Sequence, residues 1–222
     1  MAVPVSIDTQ FRQLNKRLKD LREAGRNTSV DEEEVLVADI CNSTLLVLDK
    51  AMNAVWKSVV DDRNPGARSK PNVYFPVCVS RERLLKRLEP MQMLDLPDIK
   101  PGLFDLIESV QEYNGELWLK SLYGIAQVRH ERYPAVERRE EHGWALGRDQ
   151  DVYIEHMTIN NGQVNFRGHG INRETGQSEP ARFELIREVR SVLEDVGEDP
   201  HEFCSSILQK AKVLASKMYS HL

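Results

Sequence analysis

A chain of 222 residues is long enough for one large domain or a domain with an appendage, and 41% hydrophobic with 29% charged residues excludes wholesale disorder. A net charge of −5 gives no electrostatic case for nucleic acid, although a local basic patch can sit on an acidic protein. No apolar run approaches the ~18 residues of a membrane span, and MAVPVSIDTQ lacks the basic-then-apolar order of a signal peptide.

Cys41, Cys78 and Cys204 are odd in number, widely spaced and without a CxxC pair. They read as reduced thiols of a cytoplasmic protein, not as a disulfide framework or metal knuckle.

Ile7 to Glu23 spells a first helix, with Phe11, Leu14, Leu18 and Leu21 on one stripe and Arg12, Lys16, Arg17 and Lys19 around it. Ala24-Gly25-Arg26-Asn27 ends it. The longest helical stretch runs from Val35 to Val60, without glycine or proline, behind the capping-box spelling Ser29-x-x-Glu32. Its apolar arc is roughly 200° wide, against the ~100° of a surface helix. That width predicts the central helix of a bundle.

Residues 61–72 read as a loop and Val73-Tyr74-Phe75-Pro76-Val77 as a short extended piece, with Pro76 blocking helix. Ser80 caps a short helix to Leu88, and residues 91–100 are irregular around Pro97. Pro101 opens a helix carrying Leu103, Phe104, Leu106, Ile107 and Val110. After Asn114-Gly115, a further helix over 116–130 faces Leu119, Leu122, Tyr123, Ala126 and Val128 inward.

Residues 151–167 alternate with period two around Asn161-Gly162, a strong hairpin signal. A turn there opposes Ile159 to Val164 and Met157 to Phe166 on one face, with Thr158/Asn165 and His156/Arg167 on the other. Trp144-Ala145-Leu146 would add a third strand, and residues 168–179 read as a polar loop. Pro180 then opens a predicted helix with Phe183, Ile186, Val189, Leu193 and Val196 inward, stopped by Gly197. Asp199-Pro200 starts a last helix bearing Phe203, Ile207, Leu208, Ala211, Leu214 and Met218.

The expected fold is therefore mainly α: a helical bundle over 1–134, a small antiparallel β-hairpin or sheet over 135–178, and a C-terminal helical hairpin over 179–222 that packs on the bundle. Intramolecular packing of that hairpin is the simpler outcome. A homodimer through the stripe of Phe203, Ile207, Leu214 and Met218 is the alternative.

Leu48-Asp49, Phe75-Pro76-Val77, Gln111-Glu112-Tyr113 and Arg129-His130-Glu131-Arg132 occur in an order and spacing that resembles a broad set of bacterial proteins of unknown function. Their pattern is a helix with Leu-Asp-His, a Phe-Pro-Ile segment, a Gln-Pro-Tyr, and a helix ending near Lys-His-Arg. The resemblance covers residues 30–134. Lys50, Glu112 and Arg129 depart from it, standing where the pattern has histidine, proline and lysine. Such proteins look like relatives of the HEPN superfamily, helical bundles that include ribonuclease toxins, defence proteins and inert adaptor modules. The resemblance implies a bundle more than any activity.

Asp49 lies at the edge of the apolar arc, near Asn42, Leu45 and Asn53, where an unpaired carboxylate is costly. Arg129, His130 or Arg132, at the end of another bundle helix, is the expected partner. The group Asp49, Asn53, Arg129, His130 and Arg132 is then either a small polar site or a structural ion pair fixing two helices.

HEPN ribonucleases place an Arg, a spacer of about four to six residues and a His near a helix start, supplying a phosphate cation and a base. None of His130, His142, His156, His169, His201 or His221 has an arginine at those offsets, so no catalytic residue is assigned. No histidine pair has metal-ligand spacing, and no phosphate loop or nucleophile elbow occurs, so neither metal nor cofactor is expected. Arg129, Arg132, Arg138, Arg139 and Arg148 alternate with acids and read as a solvated surface.

The leading expectation is a non-catalytic interaction or regulatory protein with a protein partner, in a stress- or phage-defence setting. The alternatives are an RNA-directed HEPN-type enzyme with a degenerate or displaced site, and a small-molecule-binding bundle. A pocket shared by Trp56, Trp118 and Tyr123 would favour the last.

Overall fold

The computed structural model describes residues 3–27, 29–63, 70–128, 132–147, 149–160, 163–181 and 183–222. The fold is mainly α with an antiparallel β insertion. It divides into two compact units: residues 1–137 with 191–222, and residues 138–190.

The first unit is built around α2 (Val30–Trp56), which continues into a π-helical turn, Lys57–Asp61. The Ser29 hydroxyl accepts from the Glu32 N–H at 3.3 Å, and Asp31, Glu32 and Glu33 sit in the first turn, where the helix dipole favours acids. Val37, Ile40, Cys41, Val47, Leu48, Ala51, Met52 and Val55 are wholly buried. They are covered from several sides by α1 (Val5–Asn27), α6 (Trp118–Val128) and α7 (Pro200–Ser220). The wide apolar arc thus does what its width predicts. Phe11, Leu14 and Leu21 of α1 are buried, while Leu18 is partly covered.

Between α2 and α6 lie α3 (Arg81–Leu88), capped by the Ser80 hydroxyl, a one-turn α4 (Leu96–Ile99) and α5 (Pro101–Ser109). The irregular stretch expected over 91–100 contains α4 because Pro97 falls in its first turn, where a missing N–H costs nothing. Asp199 caps α7 by accepting from the His201 and Glu202 N–H groups at 2.9 and 3.0 Å. At its other end, the Lys100 ammonium donates to the His221 carbonyl at 2.9 Å.

In α7, Phe203, Ile207, Leu208, Ala211, Leu214 and Met218 are all buried within the single chain. The four side chains offered for a dimer contact are therefore core residues of the first unit. Cys41, Cys78 and Cys204 are free and buried, and a Cys41–Cys204 thiol contact joins α2 to α7.

The second unit lies within the chain between the helices of the first. Strand β1 (Val136–Leu146) pairs with β5 (Phe183–Leu193), and β2 (Gln150–Asn160), β3 (Gln163–Asn172) and β4 (Ser178–Pro180) form a three-stranded antiparallel sheet. The β2–β3 register opposes Ile159 to Val164, Met157 to Phe166, Thr158 to Asn165 and His156 to Arg167, as the hairpin reading requires. The Asn161-Gly162 turn itself lies outside the described residues. The strand expected at Trp144–Leu146 is the end of the longer β1, and the loop expected over 168–179 holds the end of β3 and the start of β4.

The helix expected over 180–196 is instead strand β5, so the C-terminal helical hairpin is replaced by one strand and one helix. FELIREVRSVL satisfies both periods: Phe183, Ile186 and Val189 recur every three residues, but Phe183, Leu185 and Val189 also fall on one side of an alternation. Three β-branched residues and an unpaired β1 edge decide for strand, because tertiary pairing overrides an ambiguous local pattern. Gly197 (φ +74°) then turns the chain tightly, its N–H donating to the Leu193 carbonyl at 2.7 Å.

Candidate functional site

Asp49 and Asn53 stand one turn apart on α2, on the same face. Both reach the segment Val73–Val79, which belongs to neither helix nor sheet. The Asp49 carboxylate accepts from the Phe75 N–H at 2.7 Å, and the Asn53 amide donates to the Val73 carbonyl at 3.0 Å and to the Asp49 carbonyl at 2.8 Å. Just beyond α5, the fully buried Gln111 amide treats the next stretch the same way. It accepts from the Cys78 N–H at 2.8 Å and donates to the Pro76 and Ile107 carbonyls at 3.0 Å each.

Each clamp takes a C=O of residue i and the N–H of residue i+2, the two groups that lie on one side of an extended chain. Proline at 76 suits this, since it favours extended backbone in the residue before it. Three of the four short motifs, around Leu48-Asp49, Phe75-Pro76-Val77 and Gln111, are thereby brought together around one run of backbone. The rest of Gln111-Glu112-Tyr113 is also engaged: Lys120 pairs with Glu112, and the Tyr113 hydroxyl donates to Glu108 at 2.9 Å. Glu108 in turn binds Arg81 of α3 at 2.7 Å. Burial first, and Glu108 second, push the Tyr113 phenol well above its ordinary range, so it stays a donor.

Burial raises the Asp49 pKa above the ordinary 3.8, and the Phe75 N–H opposes the rise without cancelling it. The folded protein therefore binds the Asp49 proton more tightly than the unfolded chain does. Stability from this group is greatest below about pH 4 and falls as pH rises through the folded pKa. Asp49→Asn keeps an acceptor for Phe75 and removes the charge, so it is expected to be as stable as the parent at pH 7, or more so, and to lose that pH slope. Asp49→Ala strands the buried Phe75 N–H and should cost about 1–3 kcal/mol. Urea unfolding at two pH values separates the three proteins; an Asn variant as weak as the Ala variant would point instead to a charge partner for Asp49.

Beside the clamp lies a cleft of ≈ 620 Å³, in the range of ligand sites. Asp39, Asn42, Ser43, Leu45, Leu46 and Asp49 of α2 form one wall, residues 74–77 another, and Arg87, Met91, Tyr123, Ala126 and Gln127 complete it. Its acids are occupied: Asp39 binds Arg17 at 2.8 Å, and Asp49 holds Phe75. Tyr74, Leu46 and Tyr123 are exposed.

Of the residues proposed from sequence, Asp49 and Asn53 meet at the clamp. Arg132 does not join them; its guanidinium pairs with Asp195 at 3.6 Å near the surface. Arg129 and His130 lie outside the described residues, and among the described residues Asp49 makes no ion pair. Its partner is backbone, because a carboxylate facing an uncovered N–H needs no cation to be satisfied. The three aromatics do not share a pocket: Trp56 is buried in the core, Tyr123 lines the cleft, and Trp118 lines a separate groove with α7. Sequence reasoning missed the role of Gln111, whose only signal was its place in the Gln-x-Tyr piece, and it missed Tyr74 and Arg87.

Among the described residues, no group of His, Cys, Asp and Glu could hold a metal ion, and no helix is long and apolar enough to cross a membrane. No protein-family model matches the chain, and neither a curated protein nor a solved structure gives a significant match.

Proposed function

We propose that the protein is a non-catalytic interaction or regulatory module of the HEPN-like type, acting in the cytoplasm of a bacterial cell in a stress- or defence-related setting. The observation that carries this reading is the use made of the polar residues. The Asp49 Oδ1 and the Asn53 and Gln111 amides are all bonded to the backbone of residues 73–78, a use that orders the segment and supports a structural role for these polar groups. The open cleft with exposed Tyr74, Leu46 and Tyr123 supports recognition in place of chemistry. The buried, free cysteines support a reducing compartment.

The test is cleavage of single-stranded RNA by the purified chain beside a His130→Ala variant. Equal, background-level rates are expected. Loss of a true general base lowers a rate by roughly 10²–10⁴-fold, so cleavage that disappears in the variant would establish the RNA-directed enzyme instead.

A further inference from the structure

We propose that the cleft between α2, residues 74–77 and α6 binds a small organic cation, an ammonium or amidinium group carried on an apolar or aromatic frame. This rests on the reading of the chain as a regulatory module and gives that module an effector.

The first reason is that α2 shows the cleft acceptors. Asp39, Asn42, Leu46 and Asp49 recur at helical spacing and line one wall. Arg17 already engages Asp39 at 2.8 Å. The Asn42 Nδ2 donates to the Ala38 carbonyl at 2.6 Å, which leaves its Oδ1 without a partner among the described residues. Phe75 takes only Oδ1 of Asp49, and Oδ2 has no hydrogen-bond partner among the described residues. An ammonium brings three donors and no acceptor, which suits such a wall.

The second reason is that the charge of Asp49 has no use among the described residues. One acceptor is all that the Phe75 N–H asks for, and an asparagine would supply it without a charge to desolvate. Burial raises the Asp49 pKa, and no cation among the described residues opposes the rise. Water can fill the hydrogen bonds of Oδ2, but it gives no reason for a carboxylate at a half-buried position. A bound cation does, since a charge-assisted hydrogen bond offsets the desolvation. Arg87 also lines the cleft, but it is exposed, and water screens its charge more than that of Asp49.

The third reason is the remaining lining. Tyr74 and Tyr123, 57% and 38% exposed, line the cleft together with Leu46 and Met91. Aromatic faces attract an organic cation as well as its carbon frame. At ≈ 620 Å³ the cleft has the size of a small-molecule site. An anion would face the acceptors of α2. A metal ion would lack ligands, since no group of His, Cys, Asp and Glu among the described residues could hold one.

The test is an NMR titration of the amide-labelled full chain with phenethylamine and benzamidine. Both are expected to give saturable shifts of the Phe75 amide, which is bonded to Asp49, at roughly millimolar affinity, the range for about nine non-hydrogen atoms. Phenethyl alcohol and phenylpropionate keep the frame and lose the cation, and each should bind about tenfold more weakly or worse. Asp49→Asn keeps an acceptor for Phe75, its amide spectrum verifies its fold, and it should lose about tenfold or more in affinity for the amine. No saturable shift from either cation, an alcohol or acid that binds as well as the amine, or an Asn variant of unchanged affinity would each overturn the proposal. Acetyl-lysine methylamide binding more tightly than both cations would assign the cleft to a lysine of a protein partner and overturn it as well. All of these outcomes leave the non-catalytic reading standing, whereas His130-dependent RNA cleavage removes that reading and leaves the amine site standing.

Discussion

Phe203→Glu is expected to abolish the cooperative unfolding transition altogether. Phe203 is 4% exposed at the start of α7, and Ile207 and Met218, on the same face, are buried against α2. An unpaired carboxylate there either stays charged in an apolar environment or takes up a proton, and both routes are costly. Effects beyond about 4–5 kcal/mol arise from this short list of causes, and a domain of ordinary stability holds only about 5–15 kcal/mol in total. Val213→Glu, at a half-exposed position on the same helix, should stay within about 0.5 kcal/mol of the parent. Thermal melts followed by circular dichroism decide the matter. A Phe203→Glu protein that folds normally and merely changes from dimer to monomer would move this stripe from the core of one chain to a contact between two.

Gln111→Leu is the second substitution with a large expected effect. The side chain is of similar volume and fully buried, so packing changes little while three hydrogen bonds vanish. The Cys78 N–H and the Pro76 carbonyl are left without partners in a buried setting, at about 1–3 kcal/mol each, and the Ile107 carbonyl loses its bond to the amide. A total of about 3–5 kcal/mol is expected from urea unfolding. A cost below about 1 kcal/mol would mean that water replaces the amide, and that residues 76–78 are not held by it.

Much of this was legible where the signal is local. The breadth of the α2 stripe, the Ser29 and Asp199 caps and the alternation around residues 161–162 each specify their own structure, and the hairpin register follows from a period of two. Residues 183–193 were not legible, because their apolar positions fit a helix and a strand alike and the choice was made by β1, a distant neighbour. The site was half legible. A carboxylate at the edge of an apolar arc had to have a partner, and Asp49 has one. Periodicity carries no information about which backbone N–H, 26 residues onward, it will meet. The expectation of a charged partner rested on the cost of an unpaired carboxylate, which a backbone N–H also meets, and Arg132 is instead bound to Asp195.

The clamp is tested most directly by amide hydrogen exchange across residues 73–79 of the native protein. Alternation is expected: Phe75 and Cys78, bonded to Asp49 and Gln111, should exchange slowly, and Tyr74, Val77 and Val79 fast. Phe75 and Cys78 amides that exchange as fast as those of Tyr74 and Val77 would contradict the account, because Asp49 and Gln111 would then be free for another role.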